Sequence, residues 1–216
     1  HDRLGYEDRR MLIRRANHAA GFTMIEAMVT LAVFAIIVAL GVPEMSTWIR
    51  NNKVRTVADA LQNGLRLAQA ESLRRSRQVV FSLTNSTTPQ AIPLPAAVNG
   101  TSWAIWALPS IAGEAPIFIQ SGVLSNASAN VTVNSNGVST VCFNSVGRLV
   151  ANAGANVIAI TGGDACIQPN APPVQTFNIT TPGADRPLQV NLGLGGQVHM
   201  CDPNVAISDE QREVCS

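Results

Sequence analysis

The sequence predicts an α+β chain: a long N-terminal helix, membrane-spanning in its first half, packed on a C-terminal antiparallel β domain of two small sheets. Three observations carry this. Residues 22–42 form an apolar run whose one charge is Glu26; at 1.5 Å per residue such a helix covers about 31 Å, the hydrocarbon thickness of a bilayer. Val54, Val57, Ala58, Leu61, Leu65 and Ala68 then recur at spacings of three and four, which makes one apolar helical stripe. From Val79 onward the pattern changes to short runs of β-branched and aromatic residues divided by Gly, Pro and Asn.

The N-terminal run has an unusual start. A carboxylate inside an apolar helix is costly and ordinarily has a partner or a task. Upstream of it lies a basic segment, residues 11–21, with Arg14 and Arg15. The order is basic leader, Gly21, Phe22, three residues, Glu26, then the long apolar helix. This order resembles the leader site of type IV prepilins and type II secretion pseudopilins. The resemblance implies that a prepilin peptidase cuts between Gly21 and Phe22, and that the new Phe22 amine is N-methylated. It also implies that Glu26 neutralises the amino terminus of a neighbouring subunit during assembly. Pro43 falls where many members of that family have a proline; lacking a backbone donor, it is expected to bend or loosen the helix. An ordinary secretory signal, cut near residues 39–41, would discard the apolar run. Neither that reading nor a simple uncleaved anchor explains a glutamate in the first turns.

The expected organisation is a leader over 1–21, a helix over 22–77 with 22–42 transmembrane, and a periplasmic β-rich domain over 78–216. The chain begins with His, and Met11 would open a leader of residues 11–21, so residues 1–10 read as an over-extended start. Arg14 and Arg15 place the leader on the cytoplasmic side and the rest in the periplasm.

Charge and cysteine content narrow the function. The chain carries 15 Lys and Arg against 14 Asp and Glu. Five Arg and three acids lie in 1–21, which leaves ten basic and eleven acidic residues, a balance that argues against a nucleic-acid binder. Between Val79 and Met200 the only charged residues are Glu114, Arg148, Asp164, Asp185 and Arg186. The four cysteines suit the oxidising periplasm and allow three pairings. Cys201–Cys215, closing a short C-terminal loop, and Cys142–Cys166 are favoured.

Strands are expected at 78–84, 103–108, 131–134, 141–144, 175–181 and 187–192, with a final glycine-turned hairpin over 192–201. Asn136-Gly137 reads as a hairpin turn, and Pro93 and Pro95 as an irregular loop. Trp48, Leu67 and Leu73 fall off the helical stripe. No residues point to catalysis, a cofactor or a metal. Gly193-Leu-Gly-Gly196 lacks the last glycine and the helix of a dinucleotide site. His199 has no nucleophile motif nearby. Asp202, Asn204, Asp209 and Glu210 lack the rhythm of a calcium loop.

Residues 67–83 and 141–149 are similar to the helix exit with first strand, and to the phenylalanine-to-glycine hairpin, of GspH/FimT-type minor pilins. The resemblance implies a non-enzymatic subunit at or near the tip of a type IV pilus, in an assembly-priming complex. Its expected partners are other minor and major pilins, the prepilin peptidase that trims it, and the inner membrane. A type II secretion pseudopilin is the first alternative and a DNA-uptake receptor the second. DNA-binding relatives carry Gly-Arg-x-Arg near the C-terminus, whereas Gly195-Gly196-Gln197-Val198-His199 has no arginine and Gly147-Arg148 is half of the motif. Affinity from counterion release would accordingly be small.

Overall fold

A computed structural model describes residues 21–111, 113–124, 130–152, 157–158, 166–167, 175–205 and 215. It has two compact units, residues 1–43 and 44–216. Leader residues 1–20 lie outside the described residues, as do Asp164, Asp209 and Glu210.

Helix α1 runs Met24–Arg75 and contains Pro43. Its residues from 44 onward belong to the same unit as the sheets. Every residue of the expected stripe, from Val54 to Ala68, is fully buried there. The helix ends in a left-handed cap at Ser76 (φ 50°). The Ser76 N–H bonds to the Leu73 carbonyl and the Arg77 N–H to the Ser72 carbonyl, both at 3.2 Å. That pair of bonds satisfies two orphan carbonyls and usually uses glycine at the left-handed position. Ser76→Gly is therefore expected to stabilise the fold by about 1 kcal/mol, read from chemical denaturation of the full chain.

Glu71, one turn earlier, joins Arg74 and Arg75, each at 2.7 Å. Its hydrogen bonds, to Arg74 first and Arg75 second, hold its carboxyl at about 2, down from the usual 4.5. A carboxylate depressed in the folded state stabilises above its unfolded pKa and loses that contribution as pH falls through the folded value. The expected loss between pH 4.5 and 2 is about 1–2 kcal/mol, discounted because Arg74 is largely solvent-exposed. Denaturation midpoints of wild type and Glu71→Gln should converge across that window.

The strands are β1 (Val79–Thr84), β2 (Leu94–Pro95), β3 (Ser102–Ala107), β4 (Ile117–Val123), β5 (Thr132–Asn134), β6 (Thr140–Phe143), β7 (Leu149–Asn152), β8 (Val157–Ile158), β9 (Cys166–Ile167), β10 (Gln175–Thr180), β11 (Leu188–Leu192) and β12 (Val198–Cys201). The two expected antiparallel sheets are present, together with a two-stranded ribbon. A six-stranded sheet runs β4-β3-β1-β6-β7-β9, a four-stranded one β12-β11-β10-β5, and β2 with β8 makes a two-stranded ribbon.

The main core lies between the helix stripe and the inner faces of the two large sheets. Val79, Phe81, Leu83, Trp103, Ile105, Val141 and Phe143 come from one sheet, and Phe177, Ile179, Val190, Leu192 and Val198 from the other. Phe81 and Trp103 stack at 5.6 Å between centroids. The outer face of the six-stranded sheet is buried as well. Val80, Ala104, Trp106, Cys142 and Val150 form a second cluster with Leu94. The proline-rich loop, expected to be merely irregular, brings Leu94 into this cluster, and Thr84 Oγ1 donates to the Pro95 carbonyl at 2.7 Å.

One turn needs correction. Asn136 and Gly137 both have positive φ, and the Val138 N–H closes on the Ser135 carbonyl at 2.9 Å. Yet the strands it joins are not paired with each other. β5 pairs with β10 and β6 with β1, in different sheets. Turn chemistry fixes the reversal of the chain, while burial of the inward faces chooses the partner.

Candidate assembly surface

The first candidate surface is the N-terminal rod. All described residues from Gly21 to Met45 are exposed, with Phe22 at 81% and Leu40 at 70%. An apolar surface of this extent requires a covering phase, lipid or other helices. The stretch is long and apolar enough to cross a membrane.

Glu26 sits in the first turn of α1. Its backbone N–H bonds to Thr23 Oγ1 at 3.3 Å, and Ala27 N–H reaches the Thr23 carbonyl at 3.2 Å. Thr23 is therefore the N-cap and Glu26 the third helical residue. This Thr-x-x-Glu spacing is a capping signature. It places a carboxylate at the N-terminal end of the helix, where the free backbone N–H groups and the positive end of the dipole lie. An exposed acid at the tip of an apolar rod is suited to meeting a cation from another chain. Phe22, the expected new terminus, lies four residues before it.

The other end of α1 gathers two glycine turns. Gln69 Nε2 donates to the Gly147 carbonyl at 3.2 Å and to the Gly195 carbonyl at 3.4 Å. Leu149 N–H bonds to the Leu194 carbonyl at 3.1 Å, which links the β6–β7 turn to the β11–β12 turn directly. Gln62 and Arg66 both donate to the Val198 carbonyl, at 3.5 and 3.2 Å. Gln62, Arg66 and Gln69 thus tie the helix to both glycine turns and to β12. Their spacing on one side of the apolar stripe was the available signal, but their acceptors are backbone carbonyls that no sequence pattern marks. Arg77 pairs with Glu114, whose carboxyl is lowered mainly by that arginine and then by the Ser110 N–H.

Residues 57–196 match the family model described as Type II transport protein GspH. The chain belongs to the GspH family. Residues 16–42 match the prokaryotic N-terminal methylation motif, so this GspH-family chain is a minor pilin or pseudopilin by both segments. No curated protein matches the sequence. Among solved structures it is similar to the Pseudomonas aeruginosa type IV minor pilin FimU in two crystal forms. One has 15% identity and a TM-score of 0.44, over 69% of this chain and 97% of that one. The other has 16% identity and a TM-score of 0.47, over 71% and 94%. The minor pseudopilin EpsH of the Vibrio cholerae type 2 secretion system is similar at 10% identity and a TM-score of 0.44, over 71% and 99%.

The remaining sequence-derived sites of this GspH-family chain fall as follows. Pro43 is inside α1, at the end of the first unit. Cys201 and Cys215 form a disulfide with Cα atoms 5.1 Å apart. Cys142 is disulfide-bonded and buried; the side chain of Cys166 lies outside the described residues, although its backbone pairs with Asn152. His199 is exposed on β12 opposite Asn191. Asp202 is buried and accepts the Asn204 N–H at 2.9 Å, which makes it a turn residue. The two glycine segments weighed against a DNA motif come together at the Gln69 junction, and Arg148 is exposed beside them.

Proposed function

We propose that this chain is a non-enzymatic minor pilin of a type IV pilus, placed at or near the tip in the complex that primes assembly. It is made as an inner-membrane precursor with its β domain in the periplasm. The prepilin peptidase trims it after Gly21, and it then enters the filament beside other minor and major pilins. The observation that carries this reading is the fully exposed apolar rod with Glu26 in its first turn, joined to a domain of the GspH family. The rod fits a bilayer before assembly and a bundle of like helices after it. Pro43 gives that rod a place to loosen when it changes surroundings.

Mass spectrometry of the protein from sheared filaments tests the reading. The expected chain begins at Phe22 with a methylated amine, and a chain beginning beyond residue 40 overturns it. A type II secretion pseudopilin is the second reading, supported by the description of the matching family. Deleting the gene separates the two: loss of surface filaments supports the pilus, and loss of enzyme export with filaments intact supports secretion.

A further inference from the structure

A cleft of about 210 Å3 opens in the second unit beside the first turns of its helical segment. Trp48, Asn52 and Arg55 line one side, and Arg186, Leu188 and Met200 another. The helix residues lie three to four apart or seven apart, so they share a face. Arg186 is held there by its backbone: its N–H bonds to Asn51 Oδ1 at 3.3 Å, while Asn51 Nδ2 donates to Asp185 Oδ1 at 2.5 Å. The guanidinium groups of Arg55 and Arg186 have no ion-pair partner among the described residues, and both side chains are exposed. Asp202 also lines the cleft, but it is buried and committed to the Asn204 N–H. Trp48 is 62% exposed, an unusual exposure for the largest apolar side chain.

We propose that this cleft binds the headgroup of an anionic phospholipid while the chain is anchored in the membrane. The proposal rests on the membrane-anchored precursor proposed above. Two free guanidinium groups match a phosphodiester, and Leu188, Met200 and the Trp48 ring match the glycerol and upper acyl carbons below it. Position selects lipid over a protein carboxylate. Trp48 follows the apolar run by six residues. At no more than about 3.5 Å per residue it lies within about 21 Å of Val42, whatever path the backbone takes between them. A tryptophan this close in sequence to the end of an apolar span is a side chain that settles at a membrane interface, and arginine is the one that meets anionic headgroups there. The bound lipid holds the β domain against the periplasmic leaflet, and entry into a filament requires its release.

The test uses the full chain reconstituted in nanodiscs of phosphatidylcholine, with or without phosphatidylglycerol. Trp103 and Trp106 are only 6% and 3% exposed, so acrylamide quenching reports Trp48. Phosphatidylglycerol is expected to reduce that quenching at least about twofold, and molar salt to restore it. Arg55→Gln with Arg186→Gln should abolish the difference while thermal unfolding stays unchanged. Equal quenching in both discs overturns the proposal, as does protection that persists in the double variant. A photo-crosslinker at position 48 that captures a neighbouring pilin peptide in cells, and never lipid, also overturns it. Failure of the chain to remain with neutral discs would instead refute the anchored precursor itself.

Discussion

Gly196→Ala is expected to lower the unfolding free energy by about 3 kcal/mol or more. Gly196 has φ +85°, and a Cβ there would overlap the Gly147 carbonyl oxygen and the Gln69 amide. The left-handed conformation alone costs a side chain about 1–2 kcal/mol. The overlap adds to this because the Gly147 oxygen is backbone and is already engaged by Gln69. Separating the two turns would also disturb the Leu149–Leu194 bond that joins the two large sheets. Gly137→Ala is the matched control: it has the same φ, with nothing within 4 Å of the new atom. It should cost only the conformational share. Urea denaturation of the full chain in detergent measures both, and equal losses would show that the junction has no special weight.

Glu26→Val is expected to leave leader cleavage near normal and to reduce recovery in sheared filaments by at least about tenfold. Removing a carboxylate from a first turn costs a helix only about 0.3–1 kcal/mol. That is too little to unwind α1, whose later half is fixed by the buried stripe. An assembly defect would therefore report a lost pairing between chains, since an amine left unpaired in an apolar bundle costs several kcal/mol. Immunoblots of sheared and membrane fractions distinguish the cases. Wild-type recovery in filaments would sink the proposed role of Glu26.

The elements legible in the sequence were those with a periodic apolar face or a short dense run of β-branched and aromatic residues. The stripe from Val54 to Ala68 was readable because one helix face meets one core. β10 and β11 were readable from alternation, which buries Phe177, Ile179, Val190 and Leu192, while β1 and β3, buried along their whole length, were readable only as short β-branched and aromatic runs; all four boundaries fall within one or two residues. β4 escaped notice because it is an edge strand, with both faces partly exposed and Gly122 pressed against Trp103. The burial of Val80 and Ala104 on the outer face was not legible, since Leu94, which joins their cluster, comes from a proline-rich loop without periodicity. Of the assembly surface, the rod and its acid were plain from composition. The Gln62, Arg66 and Gln69 contacts were not, because each depends on a carbonyl at least 78 positions away.

The buried stripe has a mechanical consequence. From Val54 to Ala68 it extends about 21 Å along the helix axis. A pull along that axis loads its side-chain contacts and the three polar anchors in parallel, as a lap joint is loaded in shear. Such a joint fails only when many contacts give way together, so the β domain can be hauled by its own backbone rod without being peeled from it.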